Sequence, residues 1–324
     1  MATYLFTHPA CLGHDPGAGH PERPARLASV LKALSGPEFA GLQRREAPLA
    51  TTEQLQRAHP PRYVEAVLAA FPTEGYVQLD GDTVVSPGSK DAALRAAGAL
   101  VAATDAVMGG EASNAFCAVR PPGHHAEPMR PMGFCLFNNV VVAARHARAL
   151  YGIRKVAVMD FDVHHGNGTE TQAMADAELF YASTHQSPLY PGSGMHNHAD
   201  HPNIVNAPLP PRSGSAEFRA AMSEQVLPAM RAFAPELVIV SAGFDAHHRD
   251  PLGSLELTEE DFAWITLQLM ELAEIHSAGR VVSVLEGGYD LQGLASSVGI
   301  HVKALMHGNA DETAEPDEEP EDEY

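Results

Sequence analysis

Short apolar runs rich in valine punctuate the chain: AFCAV at 115–119, VAVM at 156–159, LFYA at 179–182, LVIV at 237–240 and VVSVL at 281–285. They do not alternate strictly between apolar and polar positions, which is the pattern of strands buried on both faces. Longer segments with helical character lie between them, at 92–107, 140–150 and 215–233. Pro228 inside the last of these predicts a kink or an early stop. YLFT at 4–7 is a further candidate strand. Continuous apolar strands separated by helices predict an α/β fold, a single doubly wound domain with its parallel sheet covered on both sides. The pattern ends near residue 307. From 308 to 324 the chain reads GNADETAEPDEEPEDEY, with no aliphatic residue larger than alanine. Such a segment buries too little apolar surface to offset its chain entropy, so it predicts a disordered acidic tail after a folded domain over 1–307. A docking peptide for a basic partner is the alternative use of that tail.

Composition changes this picture little. At 45% hydrophobic and 19% charged residues, the chain resembles an ordinary soluble globular protein. Its net charge of −20 argues against a nucleic-acid partner. The three cysteines, Cys11, Cys117 and Cys135, form no C-x-x-C pair, so neither a disulfide framework nor a cysteine zinc site is expected. Cys135 reads as a small buried residue. The first residues lack a basic stretch followed by a long apolar one, and no apolar run of membrane-spanning length occurs. A cytoplasmic protein without a membrane partner is the expectation, and a homo-oligomer is an allowed assembly.

The chemistry lies just after the apolar runs, where open α/β sheets bind their ligands. RPPGHH follows the first run, with His124 and His125. DFDVHHGNG follows the second, with Asp160, Asp162, His164, His165 and Asn167. SAGFDAHH supplies Asp245, and EGGY supplies Tyr289. Asp162 and His164 stand two residues apart, so at a strand mouth their side chains point the same way. With Asp245 they make a two-carboxylate, one-imidazole set. That set leaves an open position on zinc for water and substrate, as catalytic sites do. An isolated D-x-H would equally well cap a helix; it is the matching strand ends that favour the metal. His165 should point away as a buried structural residue. Adjacent imidazoles suit proton transfer near neutral pH, with Asp160 the proposed partner of His124 and Asn167 that of His125. Tyr289, after two flexible glycines, is placed to donate to a substrate carbonyl.

Taken together, HPERPARL, RPPGHHAEPMRPMGFCLFNN, DFDVHHGNGTE, SPLYPGSG, NIVNAPLPP, SAGFDAHHRDPLG and LEGGYD resemble the histone-deacetylase and acetylpolyamine-amidohydrolase family. HHAE and GNG are closer to class II deacetylases and their bacterial relatives. The resemblance spans about His20 to Tyr289. It implies an arginase–deacetylase fold with a mostly parallel eight-stranded sheet. It implies zinc on Asp162, His164 and Asp245, with Fe2+ able to take the same ligands in cells. His124 and His125 become the catalytic pair, supported by Asp160 and Asn167, and Tyr289 the carbonyl polariser. A tunnel walled by Phe134 and Tyr190 is implied, with Gly133, Leu252, Gly287 and Gly288 along it; the family often has Phe where Tyr190 stands. A structural K+ or Na+ is implied at Asp160, Asp162, His164 and Ser183. The rim aspartate is Asp82 or Asp80. Arg26 matches an interior arginine associated with product exit, and a structural salt bridge is its other reading. Polyamine-preferring relatives can carry glutamate where Leu252 stands.

The expected reaction is hydrolysis of an acetyl or short acyl group from a lysine-like amine, with His125 the preferred base. Acetylpolyamine or other small-molecule deacylation is the alternative within enzymes. A silent acyl-lysine binding module is the alternative outside them. The imidazoles of His196, His198 and His201 suggest a polar surface loop before a second metal.

Overall fold

The computed structural model describes residues 2–308. The expected acidic tail therefore lies outside the described residues, except for Gly308. In chain order the strands are β1 (Thr3–Thr7), β2 (Gln43–Glu46), β3 (Val77–Gln78), β4 (Val84–Val85), β5 (Asn114–Cys117), β6 (Val156–Asp160), β7 (Leu179–Gln186), β8 (Ile204–Leu209), β9 (Leu237–Ala242) and β10 (Val281–Leu285). The α-helices are α1 (Pro24–Ala33), α2 (Thr52–Gln56), α3 (Pro61–Ala70), α4 (Ser89–Met108), α5 (Asn139–Tyr151), α6 (Asn167–Met174), α7 (Ser215–Ala221), α8 (Leu227–Phe233), α9 (Glu259–His276) and α10 (Leu291–His307).

Eight strands form one sheet in the order β2-β1-β5-β10-β9-β6-β7-β8. Every pairing in it is parallel. The valine-rich central strands are buried along their whole length, as a sheet covered on both faces requires. α4 packs with α5, α9 packs with α10, and each pair contacts β9 and β10. The four strands whose ends carry the candidate chemistry, β5, β10, β9 and β6, are consecutive neighbours in the sheet. Their carboxyl ends therefore open onto one crevice, the place where α/β sheets bind ligands.

Strands β2, β7 and β8 differ from the sequence expectation, and the helix over 215–233 breaks near Pro228 as expected. β2 reads QRRE and is exposed throughout, so it carries no apolar signal; it is an edge strand held by β1. β8, with Asn206 and Pro208 inside it, forms the opposite edge, where a strand tolerates proline. The expected helix over 215–233 is divided into α7, a π-helical turn at Met222–Val226, and α8. The wider turn meets Pro228, which sits in the first turn of α8, where its missing N–H costs least. β7 also continues four residues past its apolar run, through buried Ser183, Thr184, His185 and Gln186.

Candidate active site

β6 ends in Asp160, and the chain then turns through Asp162 and His164 before α6 begins. Asp162 Oδ1 accepts from the His164 backbone N–H at 2.8 Å, which folds the two side chains to the same side. Asp245 arrives from the end of β9, its Oδ1 pinned by the Val163 N–H at 2.8 Å. His164 Nδ1 lies 3.1 Å from Asp162 Oδ1 and 3.2 Å from Asp245 Oδ2. All three residues are buried, with one donor atom from each within 4.8 Å of the others; this is the metal-type grouping found among the described residues.

The surroundings fit a cation. Burial works against charging His164, but hydrogen bonds to Asp162 and Asp245 push its imidazole up to about 10. Burial, then the neighbouring Asp162, raises the Asp245 carboxyl to about 7. The trio is thus short of positive charge in a dry site, a deficit that a divalent ion meets directly. Space is reserved for the carboxylates as well. A Cβ at Gly287 would stand 2.0 Å from Asp245 Oδ2 and 2.5 Å from Asp162 Oδ2, and one at Gly243 would stand 2.0 Å from Asp162 Oδ2. Gly287→Ala is therefore expected to splay the ligands and lower metal content by about tenfold or more at limiting metal, a loss of the size that outer partners cause. Metal analysis of the purified variant checks this.

His124 and His125 stand side by side, ring centroids 4.0 Å apart. His124 Nδ1 meets Asp160 Oδ2 at 3.0 Å, and His125 Nδ1 meets Asn167 Oδ1 at 2.8 Å. These different partners separate the two rings. Burial opposes charge on His124, yet Asp160 and Asp162 push it up to about 10. Burial, with the neighbouring His124 and His164, holds His125 well below its ordinary value. The surroundings thus bias the two rings in opposite directions, His124 towards the charged form and His125 towards the neutral one.

Tyr289 follows Gly288, whose φ of +121° is open to glycine. Its backbone N–H donates to Asp250 Oδ2 at 2.6 Å. The buried Arg26 guanidinium lies 4.8 Å from the centre of its ring and donates to Gly288 O and Glu286 O. Arg26 also pairs with buried Glu22 at 2.9 Å, so the salt-bridge reading of this arginine is present in the fold. Burial drives the Tyr289 phenol well above its ordinary value, so the group remains an O–H donor.

A cavity of about 250 Å3 leads to this floor. Phe134 and Tyr190 form walls, Gly133, Leu189 and Leu252 line it, and His125, His164 and Tyr289 close its inner end. Gly133 is required by contact: a Cβ there would sit 2.3 Å from His125 Cδ2. Gly287 and Gly288 are not on the wall, which corrects the sequence expectation. They sit behind the floor, Gly287 against the carboxylates and Gly288 with its carbonyl on Arg26. The hairpin of β3 and β4 carries both rim candidates. Asp82 lines the cavity and accepts from the Gly133 N–H at 3.0 Å, whereas Asp80 is paired with Arg130. Ser183 neighbours Asp160 across the β6–β7 ladder, its hydroxyl 2.9 Å from His185 Nδ1. His165 is buried and turned to Ser193 and Glu170. His198 reaches Glu170 at 3.2 Å.

Sequence reasoning missed Glu286. Its buried carboxylate accepts from the Gly123 N–H at 2.7 Å and the Ser241 hydroxyl at 3.0 Å, clamping the loop that carries both imidazoles. The available signal was an acid directly after an apolar run, the same signal that marked Asp160. Glu22 and Arg120, paired at 2.5 Å under that loop, were also missed.

With this geometry in hand, comparison places the chain. Residues 20–305 match the histone deacetylase domain, and the chain belongs to the histone deacetylase family. It is 42% identical over 286 residues to "Histone deacetylase-like amidohydrolase" of Pseudomonas aeruginosa, covering 87% of this chain and 74% of that one. It is 35% identical to "Probable deacetylase" of Archaeoglobus fulgidus, covering 95% and 87%. Among solved structures it is similar to the HD domain of HDA15, with a TM-score of 0.87, 34% identity, and coverage of 93% of this chain and 88% of that one. Deacetylase or amidohydrolase chemistry follows from that membership.

Proposed function

We propose that the protein is a zinc-dependent deacylase that hydrolyses acetyl or other short acyl amides of lysine-like amines. One observation carries this reading: a narrow, largely apolar cavity ends where a two-carboxylate, one-imidazole triad, two imidazoles and a phenol converge. Asp162, His164 and Asp245 would hold the ion, which when bound supplies Lewis acidity to water and to the scissile carbonyl. The alkyl stem of the substrate lies between Phe134 and Tyr190. Neutral His125 takes the proton of the attacking water, and charged His124 steadies the negative charge that develops nearby. The Tyr289 O–H donates to the carbonyl oxygen as it becomes an oxyanion. A histidine then returns a proton to the departing amine. Asp160, Asp162, His164 and Ser183 are the proposed seat of a structural K+ or Na+.

Leu252 favours the lysine-like substrate. It offers a polyamine's distal ammonium no carboxylate where it lines the cavity. Turnover of acylated lysine peptides and acetylated polyamines on one preparation, with its metal content measured, tests the assignment. Faster hydrolysis of the polyamines would move the function to small-molecule deacylation, and peptide binding without cleavage would replace it with a binding role.

The pair of imidazoles makes a pH prediction. Asp160 holds the His124 pKa above its ordinary value, so removing that charge must lower it. Asp160→Asn is expected to move the alkaline limb of kcat/KM to lower pH. An unmoved limb would detach His124 from the titration.

A further inference from the structure

An asparagine is an ambiguous partner for a histidine, because its amide can turn either its oxygen or its nitrogen towards the ring at almost no steric cost. The choice matters here. With Asn167 Oδ1 facing His125 Nδ1 at 2.8 Å, Nδ1 must carry the hydrogen and Nε2 keeps its lone pair. With the amide reversed, Nδ1 would become the acceptor and the hydrogen would move to Nε2, which could then take no proton. His124 has no such ambiguity, because its partner Asp160 is a carboxylate.

Something beyond Asn167 has to decide the orientation, and the structure supplies it. Asn167 Nδ2 donates to Glu127 Oε1 at 2.8 Å, with Met132 Sδ, a weak acceptor, at 3.4 Å. An ionised carboxylate accepts only, so reversing the amide would lose this bond and set two oxygens against each other. Glu127 is itself fixed by a tight turn in which its N–H donates to Arg130 O at 3.0 Å, and Arg130 is held by Asp80 at 2.8 Å. Glu127 is half-buried beside the site and is not among the residues lining the cavity.

We propose that Glu127 is a positioning residue that, through Asn167, keeps the hydrogen of His125 on Nδ1 and its lone pair on Nε2. This rests on the deacylase reading above, in which His125 is the base. The test uses the full chain loaded with zinc. In Glu127→Ala the amide is free to turn, and kcat is expected to fall about tenfold or more, with KM and zinc content unchanged, because general-base catalysis is what is lost. Glu127→Gln carries an amide that can pair with either orientation of Asn167, so it is expected to lose rate as well, whereas Glu127→Asp, which keeps an acceptor-only carboxylate, is expected to retain more of it. Long-range 1H–15N spectra of histidine-labelled protein give a readout independent of turnover. His125 should be the Nδ1–H tautomer in the wild type, and should gain the Nε2–H form in Glu127→Ala and in Glu127→Gln.

A wild-type His125 carrying its hydrogen on Nε2 would overturn the proposal. So would an alanine variant with unchanged kcat, or a glutamine variant with wild-type kcat and an unchanged His125 tautomer. Failure of the deacylase reading would look different: the wild type itself would cleave no acyl amide, while the tautomer spectra still reported on Glu127.

Discussion

Tyr289→Phe is expected to keep its metal and lose about 10^2- to 10^3-fold in kcat, or roughly 2.7–4 kcal/mol of transition-state stabilisation, the usual cost of removing one oxyanion donor. The substitution deletes a single oxygen. The ring would still rest 4.8 Å from the Arg26 guanidinium and 6.1 Å from Phe134, so the wall of the cavity is kept. The backbone bond from residue 289 to Asp250 is also untouched. What disappears is a donor that burial keeps protonated at any working pH. The loss should therefore fall on kcat, with KM changed little, because the hydrogen bond strengthens as negative charge develops on the carbonyl oxygen. Steady-state kinetics with metal analysis on the same sample measure it. Wild-type turnover in this variant would remove Tyr289 from the mechanism.

Asp245→Asn is expected to abolish turnover by a different route. The amide oxygen can still accept from the Val163 N–H, so the local fold is retained while the charge is lost. Metal affinity should fall by more than the roughly 10- to 100-fold typical of outer partners, since a direct ligand is weakened. The two proteins should also respond differently to a chelator. A ligand present at about 100 times its Kd stabilises the folded state by roughly 2.7 kcal/mol, so stripping the metal should lower the wild-type Tm clearly. The stripped wild type also keeps Asp162 and Asp245 buried against each other. In Asp245→Asn there is little bound metal to remove and one buried charge fewer, so the chelator should hardly move its Tm. Thermal denaturation of both proteins with and without chelator checks this. Equal shifts would place the stabilising ion elsewhere.

The sequence carried the centre of the fold better than its margins. Buried parallel strands must be apolar along their length, so the runs that became β5, β6, β9 and β10 announced themselves. β2 and β8 lie at the sheet edges, where QRRE and a proline-containing segment are tolerated, and they gave no such signal. Sheet order was also hidden: nothing local says that the strand at 281–285 inserts between those at 114–117 and 237–242. That order is what gathers the candidate residues, yet their positions just past each strand could be read beforehand. Residues acting through others were harder to read. Glu286 and Glu127 look like ordinary acids until folding brings Gly123 and Asn167 to their carboxylates. Likewise Asp80 and Asp82 share one hairpin, and only the fold sets Asp82 on the cavity and Asp80 against Arg130.

A metal titration of the stripped wild-type chain bears most directly on this account. Deacylation should be absent without metal and rise linearly with added zinc, breaking at one equivalent per chain. Full activity in metal-free protein, or a rise unaffected by Asp245→Asn, would contradict it.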